Sequence, residues 1–275
     1  MTHLFSRNAL LTCLCFLSLE MAAQGKIDQS KKELSGDHGS SSSSSSSSSG
    51  RSNRWDDDDT RNPFATLLVN ITFGVFKFGL IGDYHSENHL YKSLTPYPFY
   101  REKLGNYRDS LEDNLERLDI SNSFLTDFRN IQANHLKVTG RPFQYVYVQG
   151  DWHQLREAFK DQPDDGLAIF QLQACYDRVR LPRFNLGWHA GVTYIASGVN
   201  KAGISGGVSA DIFLKKTWSF NGSATWSAVN GSPVQFYELS TRYHLKQYFV
   251  SASYEHLRIA SPRYNFFGIG GGIYF

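Results

Sequence analysis

From Phe267 to Phe275 the chain alternates: Phe267, Ile269, Gly271, Ile273 and Phe275 take one parity, and Gly268, Gly270, Gly272 and Tyr274 take the other. A period of two is the signature of a β-strand. One face is apolar and ends on an aromatic ring, while the other is mostly glycine. Such a strand suits a closed barrel whose outer wall meets lipid.

The alternation and the terminal Phe275 resemble the closing strand of bacterial outer-membrane β-barrel proteins, in the manner of small porin-like transmembrane barrels. The resemblance is architectural and runs back over about three quarters of the chain. It implies an all-β fold and a Gram-negative outer-membrane location. It also implies outer-membrane lipid as surroundings, and barrel-assembly machinery that reads the C-terminal strand. It implies no activity.

Upstream segments carry the same period. Val146, Val148, Gly150 and Trp152 share a face, as do Phe170, Leu172, Ala174 and Tyr176, and then Phe184, Leu186, Trp188, Ala190, Val192 and Tyr194. Ile204 to Ile212, Trp218 to Trp226, Tyr237 to Leu245 and Val250 to Tyr254 continue the pattern. Leu67 to Val75 reads as the first strand, and Phe124 to Val138 as one strand whose faces switch at a bulge. The expectation is an antiparallel up-and-down transmembrane barrel of about ten strands, roughly eight to twelve. Tight turns near Gly140, Pro182, Lys215 and Lys246 are expected at the end that holds both termini. Longer loops at 159–166, 197–201, 230–233 and 258–264 are expected at the other. Aromatic residues at both ends of the outward faces form the expected girdle: Phe184, Trp188, Tyr194, Trp218, Trp226, Tyr237, Tyr243 and Phe275.

The rest divides by composition. Arg7 and the apolar run Ala9 to Leu19, with small residues to Gly25, read as a signal peptide over residues 1–25. Residues 26–61, with serine from Ser40 to Ser49 and aspartate from Asp56 to Asp59, read as a disordered periplasmic tail. Within the barrel region 62–275, the stretch at about 80–120 breaks the alternation at Thr95-Pro96-Tyr97-Pro98 and reads as a long extracellular loop. A short helix is expected within it from Ser110 to Leu118. Lys+Arg 28 against Asp+Glu 26 leaves no basic excess for nucleic acid.

The inward parity collects Asp151, His153, Asp177, Arg183, His189, Asp211, Glu238, Arg242, His244 and Glu255. Charge in a small lumen must be paired, so these read as a polar network. Asp83, His85, Glu87 and His89 alternate with oxygen and imidazole groups that zinc accepts, provided the backbone there is extended. Glu255, His256 and Ser261 are the residue types of a hydrolytic triad, but parity divides the first two. No motif requires a cofactor, and none of them identifies an extracellular partner. The reading is a non-enzymatic barrel with a structural, adhesive or small-solute role. The alternatives are an outer-leaflet lipid hydrolase and a soluble lipocalin-like ligand-binding barrel.

Overall fold

The computed structural model describes residues 25–36, 79–83, 85–109, 116–160, 163–214 and 217–275. Its core is a ring of ten strands: β3 (Arg117–Thr126), β4 (Ile131–Arg141), β5 (Val146–Glu157), β6 (Asp165–Arg180), β7 (Phe184–Ile195), β8 (Lys201–Phe213), β9 (Trp218–Val229), β10 (Ser232–Leu245), β11 (Tyr248–Ile259) and β12 (Arg263–Tyr274). Each strand pairs antiparallel with the next, and β12 returns to β3 with Phe267 opposite Thr126 and Tyr274 opposite Asp119. Closure leaves no unpaired edge. It also lets β12 lie close to its neighbours: a Cβ on Gly272 would come within 2.5 Å of the Phe249 ring.

The ring closes through β3, and the strand expected at Leu67 to Val75 lies outside the described residues. The segment expected as one bulged strand from Phe124 to Val138 is instead a hairpin, β3–β4, which supplies two of the ten strands of the ring. Asp127 makes the turn. Its carboxylate accepts the N–H groups of Arg129 (2.8 Å) and Ile131 (3.0 Å), and Phe128 takes a positive φ of 58°.

One end of the barrel, here called proximal, carries Arg117, Phe275 and the connections 142–145, 181–183, 214–217 and 246–247. The distal end carries 127–130, 158–164, 196–200, 230–231 and 260–262. The expected contrast between tight and long connections is therefore mostly absent. Between β9 and β10, Asn230 (φ 49°) and Gly231 (φ 77°) form a two-residue hairpin with both central residues left-handed, where a longer loop was expected.

The expected disorder of residues 26–61 fails at its start. Helix α1 (Lys26–Ser35) seats in the distal mouth with Ile27, Ser30 and Leu34 buried. Ile27 and Leu34 join an apolar layer with Leu125, Ile131, Leu155, Leu167, Ile169 and Phe266. Burying two such side chains contributes about 1.5–3 kcal/mol each. The Ser40 to Ser49 and Asp56 to Asp59 runs, and the signal segment up to residue 24, lie outside the described residues.

The part of 80–120 that is described packs at the proximal end, beside Phe275, rather than at the opposite end where an extracellular loop was expected. It contains a two-stranded ribbon, β1 (Ser93–Leu94) with β2 (Tyr107–Arg108). Arg117 Nη1 donates to Thr95 O (3.1 Å) and Asn106 Oδ1 (3.2 Å), and Leu118 exchanges backbone bonds with Phe275. Leu118 is in β3 and not in a helix, and residues 110–115 of the expected helix lie outside the described residues.

The outer wall is apolar. Leu239 is 59% exposed, Ile269 72% and Ile204 78%. All eight expected girdle residues sit on that wall. In β9, Trp218 packs on Tyr243 at 5.1 Å, and eight residues on Trp226 donates to the Tyr237 hydroxyl at 3.0 Å. Eight residues are about 27 Å of strand, or roughly 20 Å of barrel height at a tilt of about 40°.

Candidate functional site

Inward side chains are polar through the middle of the barrel because alternate residues of every strand face the lumen. Lys137 of β4 reaches Glu238 of β10 at 2.5 Å and lies 3.8 Å from Asp151. His135 bridges two carboxylates, with Nδ1 2.9 Å from Glu255 and Nε2 3.0 Å from Asp151. His153 Nε2 meets the other Glu255 oxygen at 3.2 Å. Asn221 donates to Asp211 at 2.5 Å, and His189 and His244 meet Thr225 and Ser219 at 2.9 and 2.8 Å. Arg242 stacks on Phe249, its guanidinium carbon 4.9 Å from the ring centre. The cavity that remains has a volume of about 120 Å³, room for ordered water among the polar groups.

Nine of the ten expected lumen residues are therefore inward. Arg183 is the correction: it lies in the exposed connection 181–183, past the end of β6, where alternation no longer applies. His135 and Lys137, at the centre of the network, were not expected. Their parity became visible only with the Asp127 turn, which makes Ile131, Ala133, His135, Lys137, Thr139 and Arg141 one inward face.

The expected row Asp83, His85, Glu87 and His89 is not extended. Asp83 accepts the Ser86 hydroxyl (2.9 Å) and the Glu87 amide (to its carbonyl, 2.9 Å), which curls the chain into a turn. Glu87 is committed to Arg178 through two bonds of 2.8 Å. The four groups have no common face for a cation. Among the described residues, His135, His153 and Glu255 are close enough to share an ion. Their imidazoles, however, stack at 3.7 Å with 24° between planes. An ion at ligand distance from both nitrogens would lie well out of the ring planes, whereas the Glu255 carboxylate already fits between them. The arrangement is that of a carboxylate clamped by two rings.

The triad residue types do not converge either. Glu255 is buried in the lumen, His256 bonds Asn265 on the outer wall at 2.6 Å, and the Ser261 amide donates to Glu33 at 2.8 Å.

Both mouths are covered. Distally, Glu157 accepts the Ile27 (3.0 Å) and Lys26 (3.3 Å) amides at the start of α1, Lys31 pairs with Asp165 at 2.5 Å, and Asn230 donates to Leu34 O (2.7 Å) at the helix end. Proximally, the Tyr107 hydroxyl donates to Asp177, which also takes Arg141 at 2.9 Å. Burial and the neighbouring Asp177 charge push the Tyr107 phenol well above the usual tyrosine range. Phe99 lies over His244 (5.2 Å) and Phe213 (5.8 Å).

No family model matches the chain, and no curated protein sequence matches it. Among solved structures it is similar to the N-terminal β-barrel domain of Pseudomonas aeruginosa OprF. The identity is 11% over 58% of this chain and 97% of that one, with a TM-score of 0.31. It is likewise similar to the Yersinia pestis outer membrane protein Ail in phospholipid nanodiscs, at 15% identity over 58% and 100%, TM-score 0.34. Neisserial surface protein A matches at 11% over 58% and 96%, TM-score 0.30. The structural neighbours are outer-membrane β-barrels. The likeness is one of fold.

Proposed function

We propose that this chain is an integral barrel of a Gram-negative outer membrane, exported by its N-terminal segment, with a closed lumen and a structural or adhesive role. The observation that carries the membrane reading is the outer face of hairpin β11–β12. From the distal rim inward, its cross-strand pairs are Arg258–Arg263, His256–Asn265, Tyr254–Phe267 and Ala252–Ile269. Charge gives way to amide and imidazole, then to aromatic rings, then to aliphatic groups, the order of polarity met on entering a bilayer. A soluble lipocalin-like barrel needs the reverse, with its apolar set inside.

The closed lumen favours a structural or adhesive role over conduction. Ion pairs cross the middle, α1 fills one mouth and residues 93–108 cover the other. The separation of Glu255, His256 and Ser261 removes the one triad that the sequence suggested. The full chain, reconstituted in planar bilayers, is expected to show heat-modifiable insertion but no large, stable unitary conductance. Such a conductance would replace this role with transport, and failure to insert would remove the membrane reading itself.

A further inference from the structure

Arg258 and Arg263 are Cα partners on β11 and β12, and both project from the outer wall. Like charges directly opposite one another destabilise a sheet unless an anion lies between them. Among the described residues the Arg263 side chain has no hydrogen bond or ion pair, and that of Arg258 has only Nε to Ala260 O at 3.0 Å. Two carboxylates of this rim, Glu33 and Asp127, accept backbone amides, of Ser261 and of the Asp127 turn, and neither forms an ion pair with these arginines. The neighbours on this face, Gln235 opposite Arg258 and the His256–Asn265 pair, carry no negative charge.

Position identifies the missing anion. The pair stands four residues above Tyr254 and Phe267, whose rings pack at 5.3 Å, with Phe128 5.7 Å from Phe267. Four residues correspond to roughly 10 Å of height. An aromatic belt at the carbonyl level of a bilayer would put the two guanidinium groups at the phosphates, and guanidinium matches phosphate oxygens in paired hydrogen bonds. Below them, Ala252 and Ile269 continue the face as an apolar track for acyl chains.

We propose that Arg258 and Arg263 bind the phosphate headgroup of an anionic lipid in the leaflet at the α1 end of the barrel. The inference rests on the membrane reading above. It is tested by native mass spectrometry of the full detergent-solubilised chain with phosphatidic acid or phosphatidylcholine. Phosphatidic acid should give a retained adduct that phosphatidylcholine does not. The R258Q/R263Q variant should bind it about 25-fold more weakly, taking about fivefold for each lost charge. The R183Q/K246Q variant, which alters exposed proximal positions, should bind as the parent does. In neutral detergent without lipid, R258Q/R263Q should melt close to the parent, since relief of the like-charge pair offsets the lost Arg258–Ala260 bond. Unchanged adduct retention in R258Q/R263Q would overturn the site. Equal retention of phosphatidylcholine, or capture of inorganic phosphate with the same arginine dependence, would overturn the lipid assignment. A chain that failed to enter liposomes would instead overturn the membrane reading.

Discussion

Lys137 and Glu238 meet at 2.5 Å although β3, β12 and β11 separate their strands around the ring. The contact crosses the lumen and ties two walls of the barrel together. Its two charges sit among Asp151, Arg242 and the Glu255 clamp, so each is compensated by position rather than by water.

Removing one member of the pair should therefore be worse than removing both. Lys137→Met is expected to destabilise the barrel by about 3–5 kcal/mol, because it leaves Glu238 buried and uncompensated. Adding Glu238→Met should recover part of that loss. Urea unfolding of the solubilised barrel, followed by its heat-modifiable mobility, checks both. A double variant as unstable as the sum of the singles would mean that the two groups do not interact.

Glu157 caps α1 from the barrel wall, accepting two amides at the helix start where unpaired N–H groups concentrate. Glu157→Gln should weaken seating of the helix by about 1 kcal/mol, the scale of a lost N-cap. The readout is faster amide exchange in residues 27–34 with exchange in β8 unchanged. Equal protection in the variant would show that apolar packing alone holds the helix.

Much of the wall was legible because period-two alternation survives wherever a strand has one apolar and one polar face, as in Phe184 to Tyr194. It failed where that contrast is absent. On β4, Gln132 and Asn134 share the outward face with Leu136 and Val138, so polarity marks neither face, and the Asp127 turn passed for a bulge. The lumen residues lost with it, His135 and Lys137, are those that bind the network together. Helix α1 was hidden for a different reason. Its apolar content is essentially Ile27 and Leu34, too little to fold alone, and what orders it is the mouth supplied by strands more than a hundred residues away. The proximal cover is likewise long-range, since Tyr107 and Glu87 find Asp177 and Arg178.

Leu239 lies midway along β10, opposite Gly222 on one side and Tyr254 on the other, with its side chain on the outer wall. Leu239→Arg is expected to cost about 2–4 kcal/mol of barrel stability in lipid, the depth-dependent scale for a charge near midplane. Leu239→Ala should cost far less, because on the membrane reading proposed above an exposed side chain there meets lipid whether large or small. Unfolding in liposomes compares the two. Equal effects would place this face against protein or water.

Acid should loosen the proximal cover. The two Arg178 bonds hold the Glu87 carboxyl below the usual glutamate range, with the Asp83 amide adding to the effect, while burial pushes the neighbouring His89 imidazole down. A carboxyl lowered in the folded state stabilises it above the ordinary glutamate value of 4.5, and that contribution fades as pH falls through the lowered one. A histidine lowered in the folded state also costs stability on acidification, beginning below its ordinary 6.5, because the released segment takes up a proton that the packed one refuses. Both terms have the same sign, so attachment should be strongest at neutral pH and weaken in two stages, first below about 6.5 and again below about 4.5. A nitroxide on exposed His85→Cys reports this directly: immobilised at neutral pH, and increasingly mobile through both stages. Adding Glu87→Gln should give a mobile spectrum at neutral pH as well. A Glu87→Gln spectrum as immobile at neutral pH as the parent's would mean that the ion pair does not hold this segment.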